Sequence, residues 1–166
     1  MRRLRPLLLL ALLAPGAPSL TGCDGQQSAT CDSGVAFATE DITPDGAELG
    51  AAAPAGACVS ADYVARRADG SGVVDEGTDF RFFVATGQGL ITGFVLGVQN
   101  QRVGETRRVT VPPDLGYGPN ERPARAGFVG GGDDGEPFVS IPSCSVLEFD
   151  ITLTRIHQDA RICQGV

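Results

Sequence analysis

Apolar and polar positions alternate with a period of two in five stretches of the chain and follow a helical spacing in one. "VAFATEDI" (35–42) alternates weakly, "CVSADYVARR" (58–67) runs to a turn at "ADGSG", and "DFRFFVA" (79–85) closes on "TGQG". "ETRRVTV" (105–111) stops at Pro112-Pro113, which cannot continue a strand ladder. "SVLEFDITLTRI" (145–156) sets Leu147, Phe149, Ile151, Leu153 and Arg155 on one face, opposite Val146, Glu148, Asp150, Thr152 and Thr154. "LITGFVLGVQNQ" (90–101) repeats Leu90, Phe94 and Val98 at i, i+4 and i+8, which predicts a helix. Its glycines make that helix short and dependent on packing. The pattern predicts an α+β fold: a five-stranded antiparallel sheet curled over one short helix, with a long irregular loop over 119–140.

At 166 residues, 42% hydrophobic and 20% charged, the chain is long enough for one domain with a true core. Its first residues, "MRRLRPLLLLALLAPGAPSLTGC", combine a basic start, a leucine-rich run and small residues. That is the pattern of an export signal over 1–22, and the apolar run is too short for a membrane span. Leu20-Thr21-Gly22-Cys23 resembles the lipobox of bacterial lipoproteins, which makes Cys23 a lipidated mature N-terminus; a plain cleaved signal is the alternative. The expectation is an anchor at Cys23, a small polar tether over 23–34 and a domain over 35–166, in the bacterial cell envelope and facing the periplasm. Loss of Arg2, Arg3 and Arg5 leaves ten arginines against 20 acidic residues, a net charge of −10. Such a surface argues against nucleic-acid partners and leaves the lipid as the membrane attachment.

Four further cysteines, Cys31, Cys58, Cys144 and Cys163, read as two disulfides in an exported chain, with three connectivities open. A metal site is the alternative, but the spacings are wide, no C-x-x-C occurs, and His157 is the one histidine. The acidic run "GGGDDGE" lacks the spacing of a calcium loop and reads as a solvated loop. No cofactor is implied.

In order along the chain stand "ADG" after a strand tyrosine, "FRFFVATGQGLITGF", "GVQNQRVGETRRVTVPPDLGYG" and "IPSCSVLEFDITLTRI". Several independent motifs in this order resemble the FKBP-type peptidyl-prolyl isomerases from about residue 36 to 157. The resemblance implies an FKBP-like fold and rotation of X-Pro amides in segments of exported polypeptides. It also implies a pocket of Tyr63, Val74, Asp75, Phe80, Leu90, Ile91, Phe94, Tyr117, Ile141 and Phe149. Phe94 becomes the floor under the proline ring, and Tyr63, Phe80 and Phe149 become walls. The Ile91 N–H and the Tyr117 hydroxyl become donors to substrate carbonyls.

Four features depart from the family pattern: Phe94 replaces the usual floor tryptophan, Val74 an aromatic, and Gln101 a methionine, while the loop before Ile141 is expanded. "GSGVVDEG" also carries an extra residue. The departures make a weakly catalytic module that binds proline segments the alternative to an enzyme. The family's strand order, 1-4-5-2-3, finally implies the pairs Cys31–Cys144 and Cys58–Cys163, because each pair then meets at one end of the sheet.

Overall fold

The computed structural model describes residues 30–124 and 138–164. The signal stretch, Cys23, most of the tether and the "GGGDDGE" run lie outside the described residues. Five strands, β1 (Ala38–Asp41), β2 (Cys58–Arg67), β3 (Val73–Phe83), β4 (Thr106–Val111) and β5 (Leu147–His157), surround one helix, α1 (Thr92–Val98). They form one sheet in the order β1-β4-β5-β2-β3, and every neighbouring pair is antiparallel. This is the α+β sheet-and-helix architecture expected from the pattern. Two short 3-10 turns follow β4 and β5, over Pro113–Leu115 and Ala160–Cys163.

Strand β5 lies between β4 and β2 and carries the core alternation, with Leu147, Phe149, Ile151 and Leu153 buried on the face toward α1. The alternation then breaks. Ser60 pairs with Arg155 but Ala61 with Leu153, so Thr154 is an extra residue in the ladder. That bulge reverses the phase of the strand end. Ile156 packs against the core, and Arg155, expected on the apolar face, is exposed.

Strand β3 begins six residues before the predicted one. Its register against β2 shifts twice, leaving Val74 unpaired near one end and Thr78-Asp79 opposite Asp62 in the middle. Asp79 takes a positive φ of 50°, and its N–H donates to Asp62 Oδ1 at 2.8 Å, which satisfies the bulged backbone. These bulges turn β3 around the open side of the sheet.

Helix α1 is shorter than predicted, because Leu90 precedes it and Ile91 is extended, serving as the N-cap at ψ 144°. Its glycines face β4. A Cβ on Gly93 would sit 2.3 Å from Val111 Cγ1, and one on Gly97 would sit 2.6 Å from Val109 Cγ2. The glycines that weaken the isolated helix are thus what lets it lie directly on the sheet. Arg107 closes the other end, donating from Nη1 to the carbonyls of Gly97 (2.7 Å) and Gln99 (3.3 Å) and holding Glu105 Oε1 at 2.6 Å. A cation at these carbonyls also opposes the helix dipole. Gln101, fully buried, donates from Nε2 to the carbonyls of Glu105 (2.9 Å) and Ile151 (2.7 Å), pinning the turn after α1 to β5.

Two disulfides join the ends of the sheet. Cys31 bonds Cys144 and Cys58 bonds Cys163, with Cα separations of 5.2 and 5.8 Å. This is the pairing implied by the strand order. Among the described residues no helix is long and apolar enough to cross a membrane.

Candidate active site

The concave side of the sheet opens beside the N-terminus of α1 into a cavity of about 420 Å³. Tyr63, Asp75, Phe80, Leu90, Ile91, Phe94, Tyr117 and Phe149 all line it, together with Glu76, Gly77, Thr78 and Gly89. The phenylalanines arrive from three directions: Phe80 from β3, Phe94 from the first turn of α1, Phe149 from β5. Phe94 is the hub. Its ring stands edge-on to Tyr63, Phe82 and Phe149 at centroid distances of 5.4, 5.2 and 5.5 Å. Phe80 stacks on Phe82 at 5.4 Å and meets Tyr63 edge-on at 5.5 Å. Edge-to-face contacts of this kind hold each ring's orientation as well as burying its area.

Two residues expected in the pocket are elsewhere. Val74 and Ile141 are 6% and 8% exposed members of the core and do not line the cavity. Val74 sits at the ladder irregularity near the start of β3. Ile141 pairs with Arg122 at the base of the expanded loop.

The cavity's polar groups are few and placed by backbone geometry. Tyr63 donates its hydroxyl to Asp75 Oδ2 at 2.8 Å across the β2–β3 pair. The Ile91 N–H, preceding the first helical turn, has no acceptor among the described residues, as expected for a helix start. Tyr117 sits where β4 ends in a prolyl 3-10 turn. The Gly118 N–H returns to the Pro113 carbonyl at 2.8 Å, and the Cys144 N–H donates to the Gly118 carbonyl at 2.8 Å. Gly118 has φ +59°, a conformation glycine adopts at little cost, so this turn can close behind the ring. The Tyr117 hydroxyl has no hydrogen-bond partner among the described residues. Burial pushes its pKa above the ordinary phenol range, the Asp75 carboxylate adds to that, and the Arg122 guanidinium opposes it. At neutral pH this hydroxyl is protonated and able to donate.

The sequence reading missed Glu76, Gly77, Thr78 and Gly89 as lining residues. Gly77 carried a signal, since a glycine inside a strand marks close approach of another group. A Cβ there would stand 2.7 Å from Tyr63 Cε1, so the missing side chain is what lets Tyr63 lie across β3. Among the described residues no group of three or more His, Cys, Asp or Glu side chains could hold a metal ion.

An apolar bowl with a few fixed donors suits one kind of chemistry. A planar amide carries more charge separation than a twisted one, and its resonance sets a rotation barrier of about 18–20 kcal/mol. A dry aromatic wall disfavours the planar form, while fixed N–H and O–H donors at the rim hold the flanking carbonyls.

The family model for "FKBP-type peptidyl-prolyl cis-trans isomerase" matches residues 50–154. The chain is 39% identical over 84 residues to "FK506-binding protein 2" of Dictyostelium discoideum, covering 51% of each protein. It is 37% identical over 84 residues to a "Peptidyl-prolyl cis-trans isomerase" of Schizosaccharomyces pombe, covering 51% of this chain and 61% of that one. It therefore spans about half the length of the Dictyostelium relative and about three fifths of the yeast one. Among solved structures, a peptidyl-prolyl cis-trans isomerase from Pseudomonas syringae pv. tomato superposes with a TM-score of 0.52 at 26% identity, over 74% of this chain and 76% of that one. With its sheet order, its aromatic cavity and the match over 50–154, the chain belongs to the FKBP-type peptidyl-prolyl cis-trans isomerase family.

Proposed function

We propose that this protein catalyses cis–trans rotation of X-Pro amides in exported polypeptides. The observation that carries the reading is the Phe94-centred bowl with the Tyr117 hydroxyl at its rim. The proline ring enters the bowl over Phe94, water leaves, and the preceding amide loses the solvation that favours its planar form. The Ile91 N–H and Tyr117 hydroxyl hold carbonyls on either side while the bond turns. No nucleophile is needed, because no covalent bond is made or broken. Uncatalysed exchange takes tens to hundreds of seconds, slow enough to limit folding after export.

The location is part of the proposal: a periplasm-facing domain held to a bacterial membrane by lipid on Cys23. It rests on the Leu20–Cys23 stretch after the apolar run and on the four cysteines. The rival reading is a module that holds a proline segment with little turnover, favoured by Phe94, a smaller floor than tryptophan. Relaxation of a short X-Pro peptide at rising protein concentration separates the two. A first-order rate that climbs in proportion to protein selects the enzyme, and a flat rate with measurable peptide binding selects the module.

A further inference from the structure

Arg122 stands beside the cavity, near the start of the expanded loop, where it bridges to Ile141. Its guanidinium carbon lies 5.0 Å from the centre of the Tyr117 ring. Two backbone bonds fix its main chain against Ile141: the Arg122 N–H donates to the Ile141 carbonyl at 2.8 Å, and the Ile141 N–H donates to the Arg122 carbonyl at 2.9 Å. On the other side, the Asn120 N–H donates to the Tyr117 carbonyl at 3.1 Å. The six-residue span from Tyr117 to Arg122 is thereby closed at both ends, and cation and ring are held together by backbone. Among the described residues no carboxylate forms an ion pair with Arg122.

We propose that Arg122 is a positioning residue for isomerisation: seated over Tyr117, it keeps the ring above the cavity and strengthens the hydroxyl as a donor to the substrate carbonyl. This rests on the isomerase reading of the cavity. The geometry supplies two effects. A cation over an aromatic face attracts the ring and limits its swing. The same charge draws electron density from the phenol, against the opposing influence of Asp75, whose carboxylate accepts the Tyr63 hydroxyl. Asp75 and Arg122 are the charged groups that act on this phenol among the described residues.

The chain has two tyrosines and no tryptophan, so in a Tyr63→Phe background the phenolate absorbance reports Tyr117 alone. There, Arg122→Gln should raise the Tyr117 titration midpoint and Arg122→Lys should leave it near that of the parent. In the otherwise unmodified protein, Arg122→Gln should lower kcat/KM about two- to fivefold, the range expected of one exposed cation–π contact. Arg122→Lys should recover part of the loss. With Tyr117→Phe already in place, Arg122→Gln should cost much less. An unmoved midpoint with unchanged rates overturns the proposal, as does an equal loss with and without the Tyr117 hydroxyl. A Tyr117→Phe protein working at the wild-type rate removes the hydroxyl's part in the reaction, and with it the role of Arg122; only if Phe94→Ala also keeps that rate does the isomerase site itself fall. Slowing in Tyr117→Phe with none in Arg122→Gln removes only the role of Arg122.

Discussion

Gly93 faces Val111 so closely that a Cβ built on the glycine would stand 2.3 Å from Val111 Cγ1. This contact sets the depth of α1 on the sheet, and α1 carries both Phe94 and the Ile91 N-cap. Gly93→Ala should cost about 1–3 kcal/mol of stability, the range for overpacking a filled core. Val111→Ala opens space at that spot, so adding it to Gly93→Ala should cost less than the two single losses combined. Denaturant unfolding of the three variants measures this coupling, and simple additivity would remove the close contact as the cause.

Acid should weaken the protein partly through Asp150. Arg108 grips its carboxylate with Nε at 2.7 Å and Nη2 at 2.9 Å, and Arg66 adds a contact at 3.1 Å. The hydrogen bonds from Arg108, and then its charge and that of Arg66, outweigh burial and hold the pKa below the usual carboxylate range. A lowered folded-state pKa gives stability that is complete above the ordinary value, about 4, and is lost as pH falls through the folded value. Asp150→Asn should therefore be less stable than the parent at pH 6, by no more than about 1 kcal/mol for a pair this exposed. The gap should narrow below about pH 4 and shrink in high salt. Denaturation at pH 6 and pH 3 checks it; equal gaps at both would exclude the carboxylate as the source.

The two disulfides should separate by accessibility. Cys58 and Cys163 are 3% and 6% exposed, whereas Cys144 is exposed and Cys31 half-buried. Thiol exchange requires access to a sulfur, so mild reductant on the folded protein should open Cys31–Cys144 first. Each bond closes more than a hundred residues of chain, with sequence separations of 113 and 105. Loss of either should cost about 2–5 kcal/mol. Timed alkylation and peptide mapping give the order, and prior release of Cys58–Cys163 would contradict it.

Much of this arrangement was legible in residues whose chemistry leaves few options. Pro112-Pro113 had to end β4, Gly116 and Gly118 had to let the chain turn around Tyr117, and the alternation of Leu147 to Leu153 had to mark a core strand. The departures within the strands share a cause, the β-bulge, which changes side-chain phase without a strong local signal. Thr154 shifted Arg155 off the apolar face, and the two irregularities of β3 kept Val73–Thr78 out of the predicted strand. Near one of them Val74 is in the core, away from the cavity. Helix α1 began late because Gly87 and Gly89 both take positive φ and Ile91 stays extended as the N-cap. The ladder between Arg122 and Ile141 spans a loop whose composition says nothing about where its ends meet.

Catalysis in the Phe94 bowl is most directly tested by measuring kcat/KM for a short X-Pro peptide in Phe94→Ala and Tyr117→Phe, beside the parent protein. Tyr117→Phe removes a hydroxyl with no protein partner among the described residues, so its unfolding midpoint should not move. Phe94→Ala removes a ring that is 3% exposed, and circular dichroism at the assay temperature establishes that it remains folded. Phe94→Ala should lose at least about tenfold in kcat/KM, which corresponds to about 1.4 kcal/mol of barrier. Tyr117→Phe should lose several-fold, near the value of one hydrogen bond of about 1 kcal/mol. Parent-level rates in both folded variants would place catalysis outside this cavity.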